Sequence, residues 1–273
     1  MEFKPRQADT TVNVSRRHPL ADAATLIAGV GGLIVMLVVA FVLLSDKIVA
    51  RISVETEMRW FGGLSATPFD SDPRYDEEAD AARDLLMRLA GHWGSEVDFR
   101  LSVIDDPLPN AFAVPGGQIV VTRGLIDSVK SENELAFVLA HELGHFHNRD
   151  HLRQIGRGAA VALILGVFNT GSTFGFNVAD LTLRRFGREQ ESDADAFALA
   201  LVQAEYGHIG ESTRFFRRIE TRYGPGSQVV SYLETHPLPG NRAEQLEALA
   251  RERNWQTAGP LTPWPFPANH PQD

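Results

Sequence analysis

The chain has 273 residues, enough for one substantial domain of about 150–200 residues plus extensions. Its net charge is −9 and no run of Lys/Arg exceeds a pair such as Arg16-Arg17 or Arg184-Arg185, so it carries no electrostatic footprint for nucleic acid. Cysteine is absent, which excludes a disulfide framework, a cysteine nucleophile and a thiolate metal site, and leaves histidine and carboxylates as the available metal ligands.

After an N-terminal tail (1–24), Thr25 to Leu44 holds twenty residues without a charge. At 1.5 Å per residue that length crosses a hydrocarbon core of about 30 Å, so the stretch is expected to be a transmembrane helix and the protein's contact with the membrane. A cleaved signal peptide is the competing reading, but the apolar run exceeds the usual apolar region of such peptides, the tail before it is long, and no clear cleavage site follows. Lys4, Arg6, Arg16 and Arg17 precede the helix and Lys47, Arg51 and Arg59 follow it. That bias points to a cytoplasmic N-terminus with everything after residue 44 on the far side.

A mixed juxtamembrane segment (45–74) leads into the main domain (75–255). Tyr75 to His92 reads as an amphipathic helix, with Ala79, Ala82, Leu85, Leu86 and Leu89 recurring at helical spacing and Gly91 and Gly94 ending it. "VDFRLSVID" (Val97 to Asp105) alternates as a half-buried strand does, before Pro107 and Pro109. "NAFAVPGGQIVVTRGL" has two short extended runs around Pro115-Gly116-Gly117, a hairpin signal. Ser131 and Glu134 form a capping box that opens a helix running into "HELGHFHNRDH", residues 141–151. Gly158 to Phe168 is apolar but too short to span, which suggests a buried helix or a lip on the membrane surface. Further helices are expected at about 184–204, 211–223 and 241–253, and the Pro-rich end (256–273) is expected to track the surface or be disordered. The elements add up to a mainly α domain with a small β-sheet (α+β).

Residues four apart on a helix differ by about 40° around its axis, so His141 and His145 project from one face and can share one ion. Glu142 flanks that face, where it can take a proton from a water polarised by the ion. A third ligand is still needed. If His151 supplied it, the stretch would match the metzincin pattern, with Asn148 in the glycine position making a sharp turn. Metzincins also place a methionine turn downstream, and this chain's methionines, Met1, Met36, Met58 and Met87, all precede the histidines. The other source is "REQESDADAFA" (Arg188 to Ala198), where Glu191 and Asp195 lie on one helix face. Glu191 can ligate the metal while Asp195 accepts the free N–H of a ligating histidine. Acidic residues at a helix start also complement the helix dipole, as Glu189, Glu191 and Asp193 all would.

Four blocks in order, "NAFAVPGGQIVVTRGLI", "ELAFVLAHELGHFHNRD", "EQESDADAFA" and "THPLPGNR", resemble the M48 metallopeptidases, which include bacterial envelope proteases and relatives of the mitochondrial inner-membrane protease of the overlapping-activity type. The resemblance covers about residues 75 to 253 and implies a zincin-like (gluzincin) fold. It implies one Zn²⁺ per chain held by His141, His145 and Glu191, Glu142 as general base, Asp195 in a supporting role, and His236 and Arg242 reaching the active site. Three protein ligands leave a coordination position for the reacting water, and Glu142 would carry its proton to the leaving amine. His236 is the candidate donor to the oxyanion, with Arg242 assisting or fixing nearby backbone. By itself His236 would read as a loop histidine. Asn110, Ala111, Phe112 and Ala113 could offer an edge strand to an extended substrate, though alone they read as an ordinary hairpin strand.

The function expected is therefore a membrane-anchored zinc endopeptidase acting on unfolded or misassembled proteins, in a bacterial inner membrane with its peptidase domain in the periplasm. An assembly factor or chaperone that uses the same groove with gated or rare cleavage is the alternative. Oligomeric state has no signal in the sequence.

Overall fold

In the computed structural model, residues 19–266 are described apart from 50, 63–68, 155, 157–185, 213, 215–216, 219–235 and 237–241. The apolar stretch 158–168, most of the helix expected at 211–223 and the ends of both terminal tails lie outside the described residues.

Helix α1 (Pro19–Val49) contains a run of 23 residues, Pro19–Phe41, long and apolar enough to cross a membrane, with none of its span buried in the protein. Its exposed leucines, isoleucines and valines would cost free energy in water and suit lipid. Helix α2 (Val54–Phe61) follows at once, capped by Ser53, whose Oγ accepts the Thr56 N–H at 3.2 Å. A 3₁₀ turn (Pro73–Tyr75) then opens helix α3 (Asp76–Trp93). Three carboxylates in the first turn of α3 complement its dipole, and Gly94 ends it at φ 72°.

Strands β1 (Arg100–Ile104), β2 (Ala111–Val114) and β3 (Gln118–Thr122) form one sheet in the order β1-β3-β2. β3 runs parallel to β1, pairing Ser102 with Val120, and antiparallel to β2, pairing Phe112 with Val120. The β2–β3 turn needs its glycines: Gly116 has φ 88° and Gly117 φ 77°. A Cβ on Gly116 would also stand 2.6 Å from the Phe61 carbonyl oxygen, so this turn is where α2 packs against the sheet.

Thr122 caps the short helix α4 (Arg123–Ser128). Helix α5 (Glu132–His147) carries the histidine motif and is buried on every side from Asn133 to Phe146, which explains why its sequence is apolar around the motif rather than striped. The Ser131 Oγ accepts the Glu134 N–H, but the Glu134 carboxylate accepts from Lys130 N–H at 2.8 Å instead of closing the reciprocal bond of a capping box. Helix α6 (Arg188–Tyr206) lies against α5, with Ala194 and Ala198 fully buried between them, and α7 (Arg242–Glu252) packs on α6. α3 and the sheet complete the core around Leu85, Leu89, Phe99, Leu135 and Leu139.

The Pro-rich end is surface-tracking as far as it is described, and more than that. The Glu132 N–H donates to the Thr262 carbonyl at 2.9 Å, Thr262 N–H donates to Asn133 Oδ1, and Trp264 is buried in the core cluster.

Candidate metal centre

Two helices and one loop residue converge on a point inside the domain. From α5 come His141 and His145, from α6 Glu191, and from the segment before α7 His236. All four side chains are buried, and one donor atom from each lies within 4.8 Å of the others. His141 Nε2 is 3.1 Å from His145 Nε2; His236 Nδ1 is 3.2 Å from the former and 3.3 Å from the latter. Glu191 Oε1 is 3.1 Å from His236 Nδ1 and 3.3 Å from His145 Nε2, and its Oε2 is 3.5 Å from His141 Nε2.

Ligand atoms about 2.0–2.1 Å from a tetrahedral Zn²⁺ stand about 3.3 Å from each other. The observed spacings match the edges of such a tetrahedron, and an all-nitrogen-and-oxygen donor set is one zinc accepts. Glu142 points to the same conclusion, because both its carboxylate oxygens are buried and neither accepts a hydrogen bond among the described residues. His236 Nε2 lies 3.5 Å from its Oε1. A buried carboxylate with no donor is expensive unless a cation stands near it. The residues present therefore fit a zinc ion.

Behind the donors sits a second layer. His141 Nδ1 is 3.0 Å from Asp195 Oδ1, and Arg242 binds Asp195 through both its Nε and Nη2. Arg242 Nη1 also lies 3.4 Å from Glu191 Oε2. Arg242 thus holds the supporting carboxylate. His145 Nδ1 is 3.0 Å from Asp150 Oδ2, and the His145 ring stacks on Phe186 with centroids 3.8 Å apart.

The electrostatics follow from this arrangement. Burial alone would lower both α5 histidines, yet the Asp195 and Glu191 carboxylates raise His141, and Asp150 and Glu191 raise His145 to about 9. Burial would raise the Glu191 carboxyl, but the three histidines around it hold it far below the ordinary carboxylate range. Asp195 is held down in the same way by Arg242 and His141, against its burial. For His236 burial wins over Glu191 and Glu142, and its imidazole is lowered.

The structure thus brings His141, Glu142, His145, Glu191, Asp195, His236 and Arg242 into one buried cluster. His151 points elsewhere: its Nε2 is 2.8 Å from Glu57 Oε1. The sharp turn after α5 also falls one residue later than a metzincin would place it, at Arg149 (φ 61°), while Asn148 is right-handed (φ −76°). Asn110 to Ala113 lie outside the cluster. Asn110 leads into β2 at the outer edge of the sheet, where Ala111 and Ala113 join the core cluster that includes α5 and Phe112 turns the other way onto Phe69, all four residues being buried. Sequence reasoning missed Asp150, Gln190 and Glu57. Asp150 sits five residues past His145, a spacing that means nothing on a straight helix and becomes meaningful only once the chain bends at Arg149.

A family model described as Peptidase family M48 matches residues 79–250. The mitochondrial metalloendopeptidase OMA1 of Schizosaccharomyces pombe is 30% identical over 181 residues, covering 64% of this chain and 54% of that protein. The human mitochondrial metalloendopeptidase OMA1 is 28% identical over 179 residues, covering 57% and 33% respectively. A putative beta-barrel assembly-enhancing protease of Vibrio cholerae is 28% identical over 202 residues, covering 68% and 41%. The chain spans about half the length of these relatives or less.

Proposed function

The chain belongs to peptidase family M48, and from that premise we propose that it is a zinc-dependent endopeptidase anchored by α1 that cleaves unfolded or misassembled proteins beside its membrane. As a family member it is a metallopeptidase with protein substrates. The observation that carries the finer reading is the convergence of His141, His145, Glu191 and His236 at tetrahedral spacing beside a buried Glu142 that accepts no hydrogen bond from the described residues.

In this reading His141, His145 and Glu191 hold the ion. When bound, zinc supplies a Lewis acid that lowers the pKa of a coordinated water and polarises the substrate carbonyl. Glu142 takes the proton from the attacking water and returns it to the leaving amine, a task that suits a buried carboxylate with no donor among the described residues. Asp195 fixes the His141 ring, and Arg242 fixes Asp195. His236 donates to the developing oxyanion. Ala111 to Ala113 present the sheet edge to an extended substrate chain. The reading places α1 in a bacterial inner membrane with the peptidase domain on the periplasmic side.

One observation favours the second reading, that of a chaperone or assembly factor with rare cleavage: His236 Nδ1 stands 3.1–3.3 Å from a donor atom of each of Glu191, His141 and His145, so it could occupy the position that a reacting water would need. The deciding experiment is Glu142→Gln in the full chain. The variant should keep one zinc per chain and lose degradation of an unfolded reporter protein. Survival of degradation in that variant would remove the endopeptidase reading, and survival of client-assembly phenotypes without it would favour the second.

A further inference from the structure

Glu57, the fourth residue of α2, is fully buried although it lies in the helix that directly follows the membrane span. Its Oε1 is 2.8 Å from His151 Nε2 and accepts the Gly116 N–H at 3.2 Å, and its Oε2 is 3.4 Å from Arg149 Nη1. Two of these three partners flank Asp150. Asp150 in turn holds His145 with one oxygen and accepts the Gln190 Nε2–H at 2.6 Å with the other. Gln190 sits beside Glu191 on α6, and its Oε1 accepts the Gly187 N–H at 3.0 Å, which closes the first turn of that helix. Side-chain contacts joined through the backbone of Arg149 to His151 therefore run from the juxtamembrane helix to His145 on α5 and to the residue next to Glu191 on α6.

The backbone between these contacts is unusual. Arg149 has φ 61°, a region sparsely populated by residues with a side chain and kept only where the surroundings over-determine it. The surroundings here are Glu57 at one end of the Arg149 side chain and the Phe146 ring, 5.4 Å from the guanidinium, beneath it. The His151 ring stacks parallel to the same Phe146 ring, with centroids 4.9 Å apart. This left-handed turn ends α5 and swings Asp150 back beneath His145.

We propose that Glu57 and Asp150 are positioning residues for the metal site: Glu57 clamps Arg149 and His151, the clamp sets Asp150 against His145, and the juxtamembrane helix α2 thereby governs how well the site holds its ion. The inference rests on the zinc reading above. Asp150 serves His145 as Asp195 serves His141, one carboxylate behind each ring, but only Asp150 is tied to the membrane-proximal helix. Displacement of α2, by whatever acts on the span to which it is joined, weakens the site.

The test is zinc affinity of the full chain in detergent, measured by competition with a chromophoric chelator, alongside thermal unfolding of each metal-free variant. Asp150→Ala is expected to weaken zinc about 10- to 100-fold, the usual effect of losing a partner behind a ligating histidine. Glu57→Ala is expected to weaken it about 2- to 30-fold, as for residues acting through a packed network. In the double variant Glu57→Ala adds no more than about twofold to Asp150→Ala, because its effect passes through Asp150. Glu57→Gln keeps the buried volume but offers no charge to Arg149, and is expected to weaken zinc at least about twofold without unfolding the domain. Wild-type affinity in Asp150→Ala or in a folded Glu57→Gln overturns the inference, as does a double variant whose loss is the product of the two single losses. A wild-type chain that bound no zinc would overturn the metal reading along with it, whereas a zinc-binding wild type with equally tight variants overturns this inference alone.

Discussion

Gly144 on α5 lies so close to Ala194 on α6 that a Cβ added to it would stand 2.8 Å from the Ala194 Cα. The two helices can approach this far only because neither brings bulk to the contact. Gly144 falls between the residues of the pair His141 and His145, and Ala194 falls between Glu191 and Asp195, so the contact sets how near the histidines come to the carboxylates. Gly144→Ala is expected to force the helices apart, destabilise the domain by about 1–3 kcal/mol and weaken zinc. Thermal unfolding with and without metal measures both effects; a variant of unchanged affinity would show that the helix spacing does not limit the site.

Asp195→Ala leaves His141 Nδ1 without its carboxylate and Arg242 without its two-pronged partner. Zinc affinity is expected to fall about 10- to 100-fold. Asp195→Asn, which keeps an acceptor oxygen for the imidazole N–H, should fall less. Equilibrium competition for the metal separates the two.

Removal of the metal should destabilise the whole domain. The candidate donor side chains come from three separate parts of the chain and meet at one point, so an ion bound there is bound only by the folded state. With free zinc at 100 times its Kd, the folded state gains about 2.7 kcal/mol. A chelator should lower Tm accordingly, and no change in Tm on chelation would contradict the site.

Away from the metal, Glu205 on α6 accepts from Arg88 Nε at 2.8 Å and lies 2.8 Å from His92 Nε2, both on α3. Burial raises the Glu205 carboxyl, but these two partners outweigh it and leave the group below its ordinary value of 4.5. A carboxylate lowered in the folded state contributes stability above its unfolded pKa and loses it as pH falls through the folded value. The wild type should therefore exceed Glu205→Gln in stability above pH 4.5 and lose that margin as pH falls below it. The group is partly solvated, so the margin is at most about 1 kcal/mol. Denaturant titrations at several pH values would find it.

The parts of the site readable from the sequence are those that periodicity alone reports. His141 with His145, and Glu191 with Asp195, are each four apart on one straight helix, and no folding information beyond the helix is needed to put each pair on a face. Asp150 was hidden because its place depends on a left-handed residue at Arg149 that no local preference announces. Glu57 was hidden for a different reason: its partners His151 and Arg149 are more than ninety residues away, and a glutamate in a short charged helix reads as solvent-facing. At the other end, Trp264 in a Pro-rich stretch gave a composition typical of a loose tail, while the structure places its ring in the core.

Both of those margins lie outside residues 79–250, where the family match begins and ends. The first turn of α5 is fastened to Thr262, and the turn after its last residue is fastened to Glu57. A soluble fragment cut to the family boundaries would lose the fastening at each end of the helix that carries both histidines. A piece that keeps both fastenings must include Ser53 to Phe266, and protease trimming of the native protein should not reach the edges of the matched block, residues 79 and 250.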